Sequence, residues 1–457
     1  MDLFRKKQIN TQQSSHLSKT LQLKDLILLG IGAVIGTGIF VVPGQAAANL
    51  AGPGLTLSFV LVAFIVILTG FSFAEFASRI PVIGGAYSYM YVVFGEFIAW
   101  LTGWFLLCEY MLAVASVASG WSAYFQGFLS YLHLQLPQAL TAGLNLEKGT
   151  YFDLIAGLVV IFVVFWVLQE AKKALALNNF MVWIKFGIIA LFIVVGVFFV
   201  KPSNWQPYLP FGAEGVIDGA ALVFFAFLGF DAIAMAAEEV VEPQKTVPRG
   251  MIGAIAISTV LYIIVTAILT GLVPYTKLGV NDPVAFAMRF LHLDLVGSII
   301  SIGAILTLLT VTISMMYSLA RLVYAISKDG LLPISLNKVD TKTHTPVRAT
   351  LVSGAVVFVF ATMFPLQILA ELTNIVALGY LIMMALGIIR LRQVAGDPKP
   401  GEFKVPFVPI LPLITVGFCI FLMVQLSLTT WIVFFISLVI GLGIYFGYGY
   451  KHSTLNK

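Results

Sequence analysis

The chain has 457 residues, 60% of them hydrophobic and 10% charged, with a mean hydropathy of +1.00 and a formal net charge of +5. Soluble domains carry about 25% charged residues, so a fold wrapped in water is excluded. The positive charges are dispersed at the ends of apolar runs rather than gathered into a basic stripe, so no nucleic-acid partner is expected.

Residues 1–24 hold Arg5, Lys6 and Lys7 but no apolar stretch with a small-residue cleavage site, and read as a cytoplasmic tail rather than a signal peptide. Apolar blocks of about twenty residues follow, the length of a helix crossing a hydrocarbon core of roughly 30 Å. They predict an all-α polytopic membrane protein of twelve spans, at 25–50, 55–79, 96–129, 151–169, 178–200, 214–240, 250–274, 296–322, 347–364, 367–393, 406–426 and 428–447. With both termini inside, 21 of the 26 Lys and Arg fall in tails, inner loops or the inner ends of spans. Lys148, Lys201, Lys277 and Arg289 fall outside and Lys185 falls within span 5. That bias supports an even span count in the cell membrane, with a cytoplasmic tail at 448–457 and lipid as the surrounding partner.

Span 1 reads Gly30-Ile31-Gly32-Ala33-Val34-Ile35-Gly36-Thr37-Gly38. Its glycines suit close helix packing, Gly32 and Gly36 having small-xxx-small spacing. They equally suit unwinding at Gly36 to Gly38, which frees N–H groups at the positive end of a half-helix to hold a carboxylate. Span 6 reads Phe224-Phe225-Ala226-Phe227-Leu228-Gly229-Phe230-Asp231. Opening here frees carbonyls for an ammonium group, while Asp231 is either a ligand or a structural acid bonded to loosened N–H groups. An α-amino acid supplies both charges. Each break leads a group of five spans, and five is odd, so the groups at 25–200 and 214–393 face oppositely, as in an inverted-repeat transporter. The helices at 406–447 are then peripheral.

Three further sets of polar residues lie in the apolar runs. Lys185 is about 7 Å into span 5 at 1.5 Å per residue, and either snorkels to the headgroups or faces the bundle and exchanges a proton. Glu109 is about 20 Å into span 3, too deep to snorkel: it is a protonated structural acid or it lines the cavity and reads the substrate. Glu75, Glu238 and Glu239, at span ends, are expected to be interfacial or paired with loop cations. Trp104 and Trp121 are expected to pack rather than to cage a cation, and Met315 either packs or borders the side-chain subsite. Cys108 and Cys419 sit in apolar runs and give no disulfide framework. The five histidines (16, 133, 292, 344 and 452) lack ligand spacing, so neither metal nor cofactor is expected.

The stretch Phe76-Ala77-Ser78-Arg79-Ile80-Pro81-Val82-Ile83-Gly84-Gly85-Ala86-Tyr87-Ser88-Tyr89, the pairs Gly95-Glu96 and Gly103-Trp104, and the run from Phe224 through Glu238-Glu239 and Pro243 to Pro248-Arg249 resemble the amino acid–polyamine–organocation superfamily. Within it the chain is similar to bacterial members of the cationic amino acid transporter family, from about residue 20 to 425. The resemblance implies a leucine-transporter-like fold of two inverted five-helix repeats with discontinuous helices 1 and 6. It places the substrate backbone at Gly36, Thr37 and Gly38 and at carbonyls around Phe225, Ala226 and Leu228; Ile35, Asp231, Glu109 and Met315 are further candidates. It also implies that the ammonium of Lys185 replaces the sodium ion that bridges helices 1 and 8 in sodium-coupled relatives, with Thr310 and Ser314 as candidate partners on span 8. The expected function is import of L-amino acids by proton symport with alternating access, small neutral ones such as alanine being favoured. A cationic amino acid transporter or exchanger, for arginine or lysine, is the alternative, and a membrane amino acid sensor is the reading from another class. No enzyme is expected, since the spans hold no nucleophile beside a histidine, no HExxH pair and no Walker loop. The sequence identifies no small membrane-protein partner.

Overall fold

The structure, a computed structural model, describes residues 3–6, 21–80, 85–131, 133–169, 171–237, 240–340 and 345–456, together with their side chains save those of residues 131, 171–180 and 235. Every extended element is a helix, and the β pairing among the described residues is limited to two isolated bridges, Leu21 with Val240 and Asn145 with Thr150. Among the described residues, eight helical stretches are long and apolar enough to cross a membrane, and three shorter apolar helices accompany them: Leu154–Gln169, Val347–Met363 and Ile410–Val424. Their outward faces carry Leu158, Phe165, Trp183, Val260 and Val439, all exposed, an apolar surface that only lipid or protein can cover.

The first predicted span is split into α1 (Leu23–Val34), α2 (Thr37–Phe40) and α3 (Val42–Ala46). A π turn at Ala47–Ala51 and a 3-10 turn at Gly52–Gly54 join it directly to α4 (Leu55–Arg79), so the expected gap between spans 1 and 2 is a run of tight helical turns pivoting at Gly52, φ +60°. Next come α5 (Gly85–Val93), α6 (Glu96–Tyr131), α7 (Leu154–Gln169) and α8 (Ala171–Gly196). The sixth span is split into α9 (Gly212–Val223), a 3-10 turn at Phe224–Phe227 and α10 (Ala232–Met235). The remainder is α11 (Pro243–Leu272), α12 (Pro283–Phe290), α13 (Asp294–Lys328), α14 (Val347–Met363), α15 (Leu366–Ala395), α16 (Ile410–Val424), α17 (Leu428–Ile444) and α18 (Tyr450–His452).

Packing sorts the helices into two groups. In one, α11 packs on α1 and α4, and α4 packs on α9. In the other, α6, α7, α13 and α14 pack on one another. Helices α8 and α15 touch both groups, and α16 and α17 lie against α15. Small residues allow the closest approaches: a Cβ at Gly303 of α13 would lie 1.9 Å from Ile188 of α8, and one at Gly354 of α14 would lie 2.4 Å from Val164 of α7. In a lipid environment such van der Waals fit is a main source of helix association. Residues 3–6 and 453–456 gather on one face around Glu96.

Candidate substrate site at the two helix breaks

A helix that stops leaves its last four carbonyls without N–H partners, and in this chain side chains from other helices take them. Had α1 continued, Gly32 O would have accepted from Gly36 N and Val34 O from Gly38 N. Instead Lys185 Nζ of α8 donates to Gly32 O at 2.6 Å. The Tyr262 hydroxyl of α11 lies 3.0 Å from Val34 O and 2.6 Å from Ala226 O, so one group serves both breaks. Asn374 Nδ2 of α15 donates to Ala221 O at 2.8 Å and Leu222 O at 3.0 Å, where α9 tightens into its 3-10 turn.

The breaks touch each other. A Cβ at Gly38 would lie 2.3 Å from Ala226 Cα, and one at Gly229, at φ +100°, would lie 3.1 Å from Ala33 O. Gly38 and Gly229 are therefore glycines of contact, and Gly229 is also one of conformation. At Gly36 a Cβ would meet only Val311, at 3.6 Å. Gly36 instead faces a cavity of ≈ 20 Å³ that is also lined by Ala33, Val34, Thr37, Gly38, Ala113, Val117, Phe225, Leu228, Val311 and Met315. The first bonds of the second half-helix are donated by Ile39 and Phe40 to Gly36 O, at 3.3 and 3.4 Å, so the N–H groups of Gly36, Thr37 and Gly38 precede its hydrogen-bonded turn. Gly36, Thr37 and Gly38 of one break and Phe225 and Leu228 of the other thus border one space, next to apolar residues of α6 and α13.

That space has room for about one water molecule, and both its ends are closed. Beyond α2 the Tyr124 hydroxyl holds Phe40 O at 2.6 Å, and α12 roofs α3, where a Cβ at Gly44 would lie 2.6 Å from Pro283. Toward the termini, α1 packs on α10 and α11 so closely that a Cβ at Gly30 would lie 2.4 Å from Ile233 and 2.7 Å from Ala254. As it stands the space is too small for an amino acid.

Of the expected site residues, Gly36, Thr37, Gly38, Phe225, Leu228 and Met315 lie on the cavity wall. Ile35 is fully buried beside it and donates to Ile31 O. Ala226 is behind the wall, its carbonyl taken by Tyr262. Glu109 and Asp231 are also off the wall, buried near Tyr110 and Tyr380, and Glu109 Oε2 has no hydrogen-bond partner among the described residues. Lys185 is 1% exposed and faces the bundle rather than the headgroups. Its bond to Gly32 O joins α8 to α1. Thr310 donates to Thr307 O within its own helix, and no bond from Lys185 to Thr310 or Ser314 occurs among the described residues.

Tyr262 and Asn374 escaped the sequence reading; the available signal was a polar atom isolated in an apolar run, as in Leu372-Thr373-Asn374-Ile375. Glu75 pairs with two helix arginines rather than with loop cations, accepting from Arg392 of α15 at 2.7 and 3.1 Å, from Arg79 of α4 at 3.3 Å and from Val405 N at 2.8 Å. Glu238 and Glu239 lie outside the described residues. Trp104 stacks on Trp100, and Trp121 on Phe125.

A family model described as amino acid permease matches residues 21–445. The chain belongs to the amino acid permease family. This permease is 46% identical to the methylthioribose transporter of Bacillus subtilis (strain 168), over 100% of its own length and 99% of that protein's. It is 44% identical to the branched-chain amino acid permease BcaP of the same organism, over 100% and 99%. With the human cationic amino acid transporter 4 the identity is 28%, over 98% and 89%. The permease is accordingly an integral membrane transporter of the amino acid–polyamine–organocation superfamily, and not an enzyme.

Proposed function

We propose that this permease is a proton-coupled importer of neutral L-amino acids that works by alternating access. The carrying observation is the juxtaposition of the breaks: Gly36, Thr37 and Gly38, whose N–H groups precede the first hydrogen-bonded turn of the half-helix, line the same cavity as Phe225 and Leu228. A carboxylate is held by the first set, and an ammonium group by carbonyls at the second break once Tyr262 or a neighbouring helix gives way. Beyond the backbone subsite the walls are Ala113, Val117, Val311 and Met315, which suit a small apolar side chain. Alanine is the expected favoured substrate, and the branched-chain permease named among the relatives supports extension to leucine and valine.

In this reading both termini are cytoplasmic and the plasma membrane is crossed twelve times. The split first helix, the split sixth and the other apolar helices supply the crossings. The two packing groups take the first two and the third and fourth spans of each five-span half, which supports the leucine-transporter-like inverted repeat. Lys185 is the coupling group: protonated, it ties α8 to Gly32 O, and deprotonated, it releases the inner half of helix 1.

The test is uptake of labelled alanine into liposomes holding the purified permease. Accumulation under an inward proton gradient without sodium is expected; a sodium requirement would remove Lys185 as coupling group, and binding without turnover would favour a sensor. Competition by alanine, leucine, arginine, lysine and methylthioribose sets the substrate class. Arginine as the best competitor would favour the cationic reading, in which the unpartnered oxygen of Glu109 reads the side chain. Methylthioribose has neither carboxylate nor ammonium, so its winning would set the zwitterion subsite aside.

A further inference from the structure

One fully buried, heavily partnered carboxylate has no place in substrate binding. Glu96, the first residue of α6, is 0% exposed and receives four side chains. Oε1 accepts from Arg5 Nη2 at 2.8 Å and from the Tyr445 hydroxyl at 3.1 Å. Oε2 accepts from the Tyr91 hydroxyl at 3.2 Å and from Ser453 Oγ in a short bond. These donors come from four places: the N-terminal segment, α5, the end of the last long helix and the C-terminal tail.

The backbone joins in. Glu96 N donates to Arg5 O at 2.9 Å and Phe97 N to Leu3 O at 3.1 Å. The N-terminal chain runs so close that a Cβ at Gly95, φ +98°, would lie 2.5 Å from Phe4 O. The Arg5 guanidinium also stacks over Tyr450 at 4.8 Å and bonds Asn456. The C-terminal tail then reaches the end of α13, where Thr454 N donates to Asp329 O at 3.1 Å, and a Cβ at Gly330, φ +81°, would lie 2.2 Å from His452 O. Tyr87 of α5 closes the ring by donating to Asp329 Oδ2 at 2.9 Å.

Helix α5 is thereby pinned at both ends to one helix group, by Tyr87 to Asp329 after α13 and by Tyr91 to Glu96 of α6. Its other neighbours include α10, the inner half of the broken sixth helix in the other group. The beginning of α1 is fixed separately to that other group, by Val241 N donating to Leu21 O at 3.0 Å. Holding α5 in place therefore bears on whether the two groups part on this face.

We infer that Glu96 is the hub of a clasp in which the N-terminal Arg5 and the C-terminal segment 445–456 together hold α5 against α10, keeping the path from the terminus-bearing face to the cavity shut. It rests on the alternating-access reading above. The two terminal segments act as one device because they share a single carboxylate: displacing either removes a buried charge-assisted bond and leaves the other donors around an underused acid.

The experiment places one cysteine at Ala113, on the cavity wall, in a Cys108→Ser, Cys419→Ser background, and measures labelling by a membrane-impermeant thiol reagent supplied to the terminus-bearing face of sided membrane vesicles. Arg5→Ala and Ser453→Ala should each raise the labelling rate from that face about tenfold, the effect of 1.4 kcal/mol on a two-state equilibrium. The double variant should gain less than the product of the two, and Arg5→Lys should recover most of the parental rate. Labelling unchanged in both single variants, or a lowered melting temperature with no change in labelling, would overturn the clasp. The parent labelled with and without alanine is the separate arm: if alanine leaves its rate unaltered, the transport reading fails, whereas the clasp fails on the variants alone.

Discussion

Lys185 Nζ lies 2.6 Å from Gly32 O, so the one buried lysine of the fifth span takes the carbonyl that the first helix frees by breaking at Gly36. The contact links a titratable side chain to the first segment of the broken first helix. Lys185→Ala is expected to abolish alanine accumulation under a proton gradient while binding persists, and to lower stability by about 1–3 kcal/mol through the orphaned Gly32 carbonyl. Uptake in liposomes and scintillation proximity binding separate the two effects, and a variant that accumulates alanine normally would disprove coupling through this lysine.

The glycines at the first break should respond differently to the same methyl group. Gly38→Ala drives a Cβ into Ala226 and is expected to lower the melting temperature as well as binding. Gly36→Ala meets only Val311 at ordinary contact distance, so its stability should stay close to parental while alanine affinity falls by about tenfold, or 1.4 kcal/mol. Thermal unfolding in detergent, run beside equilibrium binding, decides it; equal melting losses in the two variants would contradict the geometry.

Tyr262→Phe removes one hydroxyl but deprives two buried carbonyls, Val34 O and Ala226 O. A loss of about 1–3 kcal/mol is expected, together with slower transport, because the breaks are no longer held to a common point. The unfolding midpoint and the initial uptake rate report the two consequences.

Glu75 is fully buried, and Arg392 and Arg79 converge on it. Glu75→Ala removes the carboxylate shared by two guanidinium groups that are 11% and 7% exposed and leaves them backbone carbonyls and the outer acids Glu402 and Asp397, so a loss of about 1–3 kcal/mol is expected. Alanine affinity in the folded fraction should be unaltered. A binding defect at parental stability would move Glu75 from scaffold to site.

Much of the fold was legible in the sequence because a bilayer imposes a simple rule: with no water to satisfy backbone groups, twenty-residue apolar blocks must be helices. The breaks were legible for the same reason, since Gly36-Thr37-Gly38 and Leu228-Gly229 interrupt runs that otherwise have no cause to stop. Lys185 and Glu109 stood out as charges where charge is costly. None of these signals says what lies across from a side chain.

The sequence alone determined membrane residence, helical class and the positions of both interruptions, all of which follow from hydrophobicity and backbone geometry along one segment. Only the tertiary structure decided which distant groups complete them: Tyr262 between the two breaks, Asn374 behind the sixth helix, Glu109 and Asp231 in a cluster apart from the cavity, and Arg5 with Ser453 on Glu96. Freed carbonyls and buried acids must find partners, but which partners arrive depends on how helices hundreds of residues apart are packed, and hydrophobic blocks of similar length carry no record of that choice.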